Sequence, residues 1–310
     1  MIKIGIIGLG DIAQKAYLPI ITQLSQVEPI FCTRSSAVLE QLAQQHRVLK
    51  TCTDYRELPT LGVDAVMIHA ATSVHKQIAS YFLKLGVPTF VDKPLADSAA
   101  DVLELYEIAG KHNTPLYVGF NRRHIPLYNE WLPELVSGGC GDLRSLRWEK
   151  HRYDLSGDIR TFVFDDFIHP LDSVNLDSRA EIQDAYVTQQ WAGDQLARLD
   201  IQWQSNDTLL HASMNRQFGV TTESVSASYK NRAVEFDSFV AGKLWEEGRE
   251  SSLALKDWTP MLTSKGFSAM IHEWLSVIDS GLLASEVVNR NIATHQLAEA
   301  LVTRLEKLRS

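Results

Sequence analysis

Gly8-Leu9-Gly10-Asp11-Ile12-Ala13 stands directly behind the apolar run Ile2–Ile7. Glycines at the first and third of six positions, with a small residue at the sixth, form the fingerprint of a dinucleotide-binding turn. Gly8 permits the tight turn, Gly10 lets the main chain approach a pyrophosphate with no Cβ between them, and Ala13 lets the following helix lie close on its strand. The helix start at Asp11 and Ile12 then meets the anion. Taken bare, the same pattern also reads as a plain strand-to-helix turn. The residue that selects the cofactor is expected about twenty positions on, where the chain reads Thr33-Arg34-Ser35-Ser36. A carboxylate there would bind the ribose of NAD. Its replacement by Thr33 removes repulsion toward a 2′-phosphate, and Arg34 beside Ser35 offers charge-assisted hydrogen bonds. NADP is therefore expected in preference to NAD; a solvent-facing Arg34 with relaxed specificity is the other reading.

Two further groups of residues carry chemistry. Asp92-Lys93-Pro94 closes the run "GVPTFVDKPLA", at the strand ends where open α/β sheets bind ligands. A residue before proline is held extended, which aims the lysine. Lys150 and Arg152 in "RWEKHRYD" lie two apart and share a face if this is a strand. Either they bind an anionic or polyhydroxyl substrate, or they decorate a solvated sheet edge.

The elements that position these residues are readable by period. Strands are expected at Ile2–Ile7, Pro29–Thr33, Arg47–Lys50, Ala65–His69, Thr89–Val91 and Leu116–Val118. Near-continuous apolar runs such as "DAVMIHA" suit a parallel sheet covered on both faces. "SVHKQIASYFLKLG" reads as a helix capped by Ser73. "SAADVLELYEIAGKHN" reads as one capped by Ser98, with Val102, Leu103, Leu105, Tyr106 and Ile108 toward the core. This is a doubly wound, Rossmann-type domain over residues 1–120. Residues 121–310 change rhythm: helices near Ile125–Ser137 and Asp165–Leu176, then five extended segments from "QDAYVTQQW" to "RAVEFDS", then a helical end. They are expected to form an α+β domain with a mostly antiparallel open sheet.

With 310 residues, 45% of them hydrophobic and 22% charged, the chain has the composition of an ordinary globular protein. A net charge of −8 argues against nucleic acid and anionic membranes as partners. Cys32, Cys52 and Cys140 form neither a CxxC pair nor a metal-type cluster. No metal is expected, and a reducing cytoplasm fits best. No stretch has the length of a membrane span or a secretory leader.

Together "GIIGLGDIAQKAYLP", "SVHKQIASYFLKLGVPTFVDKPLA", "VGFNRR" and "DDFIHPLD" resemble the Gfo/Idh/MocA family of NAD(P)-dependent oxidoreductases, most closely its MviM branch. The resemblance spans the nucleotide domain and the first helix of the second. It implies that Lys93, in a Glu-Lys-Pro motif here carrying Asp92, contacts the reacting oxygen and the nicotinamide. It further implies that Asp165 and His169 are the Asp-x-x-x-His pair, four apart and so on one helical face, with Asp172 following. Oxidising a secondary alcohol needs a base for the hydroxyl proton, and an imidazole both takes and returns it. His169 is the candidate, with Lys93 on the developing alkoxide and Asp165 orienting. The cofactor brings the hydride step.

The resemblance also places Ala70 and His75 on a cofactor-facing loop, although Ala71 and Thr72 replace the family's Pro-Asn. It makes Asn121 and Arg122 candidates to line the substrate cleft, with Arg123 as either a neighbour or a salt-bridge partner. "IRTFVFDD" lacks the family's glycine run. The implied substrate is a sugar, cyclitol or related polyol, and the implied assembly is a homodimer or a dimer of dimers. A catalytically silent NAD(P)-binding regulator and an NAD-retaining glycoside-processing relative are the alternatives; the intact Lys93, Asp165 and His169 favour turnover.

Overall fold

The computed structural model describes residues 1–309. The apolar runs of the amino-terminal part assemble into one sheet: β1 (Ile2–Ile7), β2 (Val27–Cys32), β3 (Lys50–Cys52), β4 (Ala65–Ile68), β5 (Thr89–Asp92) and β6 (Leu116–Gly119). All are parallel, in the order β3-β2-β1-β4-β5-β6. The order reverses between β1 and β4, so the glycine turn after β1 lies at the switch point where such sheets take ligands. Every residue of β4 is fully buried, which requires cover on both faces.

Helices Ser36–His46, His75–Lys84 and Ala99–Lys111 provide crossovers. Ser98 caps the last by accepting from Asp101 N–H at 3.2 Å. Ser73 does not cap: a 3₁₀ turn, Thr72–Val74, comes first, and the α-helix starts at His75. β3 starts three residues later than expected because Arg47 adopts a left-handed conformation, φ 57°, and ends the preceding helix there. Leu103 is exposed, since the stripe facing the sheet is Val102, Leu105 and Ala109.

The chain divides into two compact units, Met1–Phe120 with Phe267–Ser285, and Asn121–Gly266 with Glu286–Ser310. This departs from a second domain running unbroken from 121 to 310. Helix Phe267–Ser280 belongs to the first unit because its stripe of Phe267, Met270, Ile271 and Trp274 is buried. Phe267 packs edge-on against Tyr17, and Trp274 lies against Phe90 and Tyr117.

The second unit holds an eight-stranded sheet of β7 (Ser145–His151), β8 (Tyr186–Ala192), β9 (Gln195–Ser205), β10 (Thr208–Asn215), β11 (Thr222–Tyr229), β12 (Arg232–Phe236), β13 (Ala241–Glu246) and β14 (Arg249–Ala254). Its order is β14-β13-β12-β11-β7-β10-β9-β8, antiparallel except where β7 meets β10. The helix expected near Ile125–Ser137 is two short ones, Pro126–Trp131 and Glu134–Ser137, broken at Leu132-Pro133. Against β7 and β10 packs a helical stretch, π-helical over Phe162–Phe167 and α-helical over Ile168–Val174. Among the described residues the three cysteines are free and buried, and no helix is long and apolar enough to cross a membrane.

Candidate active site

In the first unit the glycine turn is shaped by its neighbours. Gly8 has φ +86°, and a Cβ there would come within 2.6 Å of the Ala70 amide nitrogen, so the position admits only glycine. At Gly10 a Cβ would meet nothing within 4 Å, which leaves an open face at the start of the helix. Gln14 closes the first turn on Gly10 carbonyl at 3.1 Å, its side chain donates to Leu9 carbonyl at 2.8 Å, and Ala13 is fully buried. Open main chain at a helix start, backed by a tight turn, fits a pyrophosphate. Asp11 is exposed and paired with Lys15, and Ile12 is exposed. At the end of β2, Thr33 donates its amide to Cys52 carbonyl and Arg34 is exposed. Ser35 caps helix Ser36–His46, its hydroxyl accepting from Val38 N–H.

The carboxyl end of β5 is braced from two sides. Asp92 Oδ1 accepts from Tyr17 hydroxyl at 2.8 Å and from Lys93 N–H at 2.9 Å. Burial raises the pKa of Asp92, with Lys93 and the Tyr17 phenol pulling the other way. Asp92 therefore holds the Lys93 main chain from inside the core. His75 is buried, with Nε2 on Ala70 carbonyl at 2.8 Å and Nδ1 on Pro94 carbonyl at 3.0 Å, and it ties the loop after β4 to the Lys93-Pro94 loop. The Lys93–Pro94 peptide bond is cis, and Lys93 itself is half-buried. Beside this brace His69 is buried against Tyr17 and Phe90, and burial lowers its pKa to about 3.

In the second unit His169 is buried on the helical stretch that packs on β7 and β10. The π-helical turn ahead of it exposes Asp165 and buries Asp166. Asp166 had no role in the sequence reading, yet it anchors a charged cluster. It receives Lys150 Nζ on Oδ1, Arg152 through two bonds of 2.9 Å, and Arg216 Nη2 at 3.2 Å. Burial opposes charge on Asp166, but Lys150 and Arg152 overcome it and hold the carboxyl far below the usual range. Lys150 is buried and pushed down to about 7 by that burial, despite Asp166. It is therefore no solvated edge charge.

The other candidates are held within the second unit. Arg122 makes a bidentate pair with Glu223, at 3.2 and 2.8 Å, and Glu223 also accepts from Trp148 Nε1 at 2.9 Å. Asn121 donates to Lys265 carbonyl at 2.8 Å and accepts from Arg122. For Asp172 the expected substrate contact gives way to a structural role. Its carboxylate is 1% exposed and is held by Arg123, at 2.9 and 2.6 Å, and by Thr294 at 2.9 Å. Arg290 binds its carbonyl. Tyr17, Asp166, Arg216 and Glu223 are the residues that sequence reasoning missed. The shared face of Lys150 and Arg152 was the nearest signal, and it was compatible with a substrate contact or a solvated edge without naming Asp166.

Residues 2–120 match the model of an oxidoreductase family with an NAD-binding Rossmann fold. A crystal structure of a Gfo/Idh/MocA family oxidoreductase from Vibrio cholerae is 61% identical, covers 100% of this chain and 99% of its own, and superposes with a TM-score of 0.98. A dehydrogenase, MviM, from Clostridium difficile is 26% identical over 98% of this chain and 99% of its own, with a TM-score of 0.88. An inositol 2-dehydrogenase of Corynebacterium glutamicum is 23% identical over 72% of this chain and 69% of its own.

Proposed function

This chain belongs to the Gfo/Idh/MocA family of NAD(P)-dependent oxidoreductases, and from that premise we propose that it interconverts a secondary alcohol and a carbonyl on a sugar, cyclitol or related polyol, with NADP(H) preferred. The inositol dehydrogenase among its relatives supports the substrate class. The observation that carries the reading is the double brace on Lys93: Asp92 with Tyr17 behind it, and Pro94 tied to His75 in front.

Gly8, Gly10 and Ala13 would hold the pyrophosphate, Arg34 and Ser35 the 2′-phosphate, and the loop from Ala70 together with Lys93 the nicotinamide end. When bound, the nicotinamide supplies or accepts the hydride. Lys93 donates a hydrogen bond to the reacting oxygen and stabilises negative charge as it develops. His169 takes the hydroxyl proton in oxidation and returns it in reduction, and exposed Asp165, four residues earlier, orients it. Support for NADP is the absence of a carboxylate at Thr33 and the exposed guanidinium of Arg34 beside the Ser35 cap.

Fluorescence titration with both cofactors, followed by NADPH turnover on a panel of polyols and oxo-sugars, tests this. Lys93→Ala and His169→Ala are expected to lower turnover at least 100-fold, with NADPH affinity kept in His169→Ala and weakened in Lys93→Ala. Unchanged turnover in both, or tighter binding of NADH, refutes it. We also infer a homodimer or dimer of dimers, the assembly that membership of the family implies, with the outer face of the eight-stranded sheet as its interface. A monomer by light scattering refutes that.

A further inference from the structure

Three cations of the second unit meet where two parallel strands end. Lys150 lies near the end of β7, Arg152 follows that strand, and Arg216 follows its parallel neighbour β10. The main chain ties the two ends together, with Arg152 N–H on Asn215 carbonyl at 2.9 Å and Phe218 N–H on Arg152 carbonyl at 3.0 Å. All three cations converge on Asp166, whose single charge balances one of them. The other carboxylate in reach, Glu223, is spent on Arg122 and Trp148. Asp165, exposed, adds attraction for Arg216 from the rim. With Lys150 protonated the cluster keeps a positive surplus in a buried setting, a cost relieved either by loss of the Lys150 proton or by an anion that completes the cluster.

Two details show where that anion fits. Arg216 Nε is buried and has no hydrogen-bond partner, although the side chain is fixed by Asp166 and by stacking on Phe162 at 4.6 Å. The Arg152 side chain, 34% exposed, is the open side of the cluster. Planar guanidinium groups match the paired oxygens of carboxylate and phosphate. Asp166 precedes His169 by three residues on one helical stretch, so the cluster adjoins the residue assigned as base.

We propose that Lys150, Arg152 and Arg216 form an anion-binding subsite, and that the substrate is an acidic sugar or polyol carrying a carboxylate or a phosphate group. The substrate half of this rests on the oxidoreductase reading; the subsite does not.

Thermal melting of the full chain saturated with NADPH, in chloride-free buffer at pH 6.5, tests the subsite with inorganic phosphate and malonate as probes. At least one probe is expected to raise the melting midpoint by several degrees. Arg152→Gln removes that rise and Arg152→Lys keeps part of it. A response to phosphate alone assigns a phosphate ester, and a response to malonate alone assigns a carboxylate. No response, or an equal response in wild type and Arg152→Gln, overturns the subsite. Turnover separates the two readings. Sugar acids or sugar phosphates are expected to be consumed with NADPH at least tenfold more efficiently than their neutral counterparts, an advantage that Arg152→Gln abolishes. Neutral polyols turned over equally well by wild type and Arg152→Gln would overturn the acidic substrate and leave the oxidoreductase standing. An Arg152-dependent thermal response with no turnover of any compound would overturn the oxidoreductase and leave the subsite standing.

Discussion

Replacing Asp166 by asparagine keeps its shape and removes its charge. The buried side chains of Lys150 and Arg216 are then left facing each other and Arg152 with no carboxylate between them. Breaking a buried pair by deleting one partner costs about 3–5 kcal/mol. For a unit of this size each kcal/mol moves the melting midpoint by about 2–4 °C, so a fall of roughly 10 °C is expected at pH 6. The pH dependence follows from Lys150. Its pKa in the folded chain, pushed down to about 7 by burial, lies below the unfolded value of about 10.4. The folded state therefore sheds this proton first, and the penalty of holding the ammonium fades as pH rises above 7. At pH 9 Lys150 is neutral in the wild-type fold, so its share of the attraction has gone and Asp166→Asn removes only the pairing with Arg152 and Arg216. The cost of Asp166→Asn should therefore shrink between pH 6 and pH 9, measured by calorimetry or urea unfolding at both values. A loss below about 1 kcal/mol at pH 6, or a cost that grows with pH, refutes this account.

The glycine turn offers a paired test: Gly8→Ala forces a side chain at φ +86° against the Ala70 backbone and should cost about 1–3 kcal/mol along with NADPH binding. Gly10→Ala meets open space. It should leave the melting midpoint unchanged and weaken NADPH at least tenfold in a fluorescence titration. Tyr17→Phe takes a donor from buried Asp92 and should cost about 1.5–3 kcal/mol at pH 7, with kcat reduced and KM for NADPH little changed. Asp92 already has a raised pKa, and the loss raises it further. The protonated folded form is then favoured, so the deficit of Tyr17→Phe should shrink in mild acid and grow toward neutral pH.

Features carried by local pattern were legible before any coordinates. The β1 run, the GxGxxA turn, the Ser98 cap and the apolar run of β4 each state their element within a few residues. β13 and β14 were not legible, because "AGKLWE" and "RESSLA" are too polar and exposed to read as strands. The π-helical turn over Phe162–Phe167 has no residue signature, so nothing indicated that Asp166 would be the buried member of the Asp165-Asp166 pair. The pairing of Arg123 with Asp172, and of Asp172 with Thr294, joins residues 49 and 122 positions apart. Such partners are set by packing, and the spacing that made Asp172 resemble a substrate ligand could not show that its oxygens were taken. Helix Phe267–Ser280 was readable as a helix but not by allegiance, since an apolar stripe does not name the surface it covers.

That allegiance bears on how the protein is made. The chain passes from one unit to the other after Phe120, returns after Gly266 and leaves again after Ser285. When residue 120 emerges from the ribosome, the six-stranded sheet is written but Phe90 and Tyr117 still lack Trp274, and Tyr17 lacks Phe267. The second unit likewise waits for Thr294 and Arg290 to reach Asp172. Neither unit has all its parts until nearly the whole polypeptide has been synthesised, so vectorial folding from the amino terminus cannot finish one before beginning the other. A fragment cut at the end of β6 would be a nucleotide-binding sheet with an aromatic flank left wet.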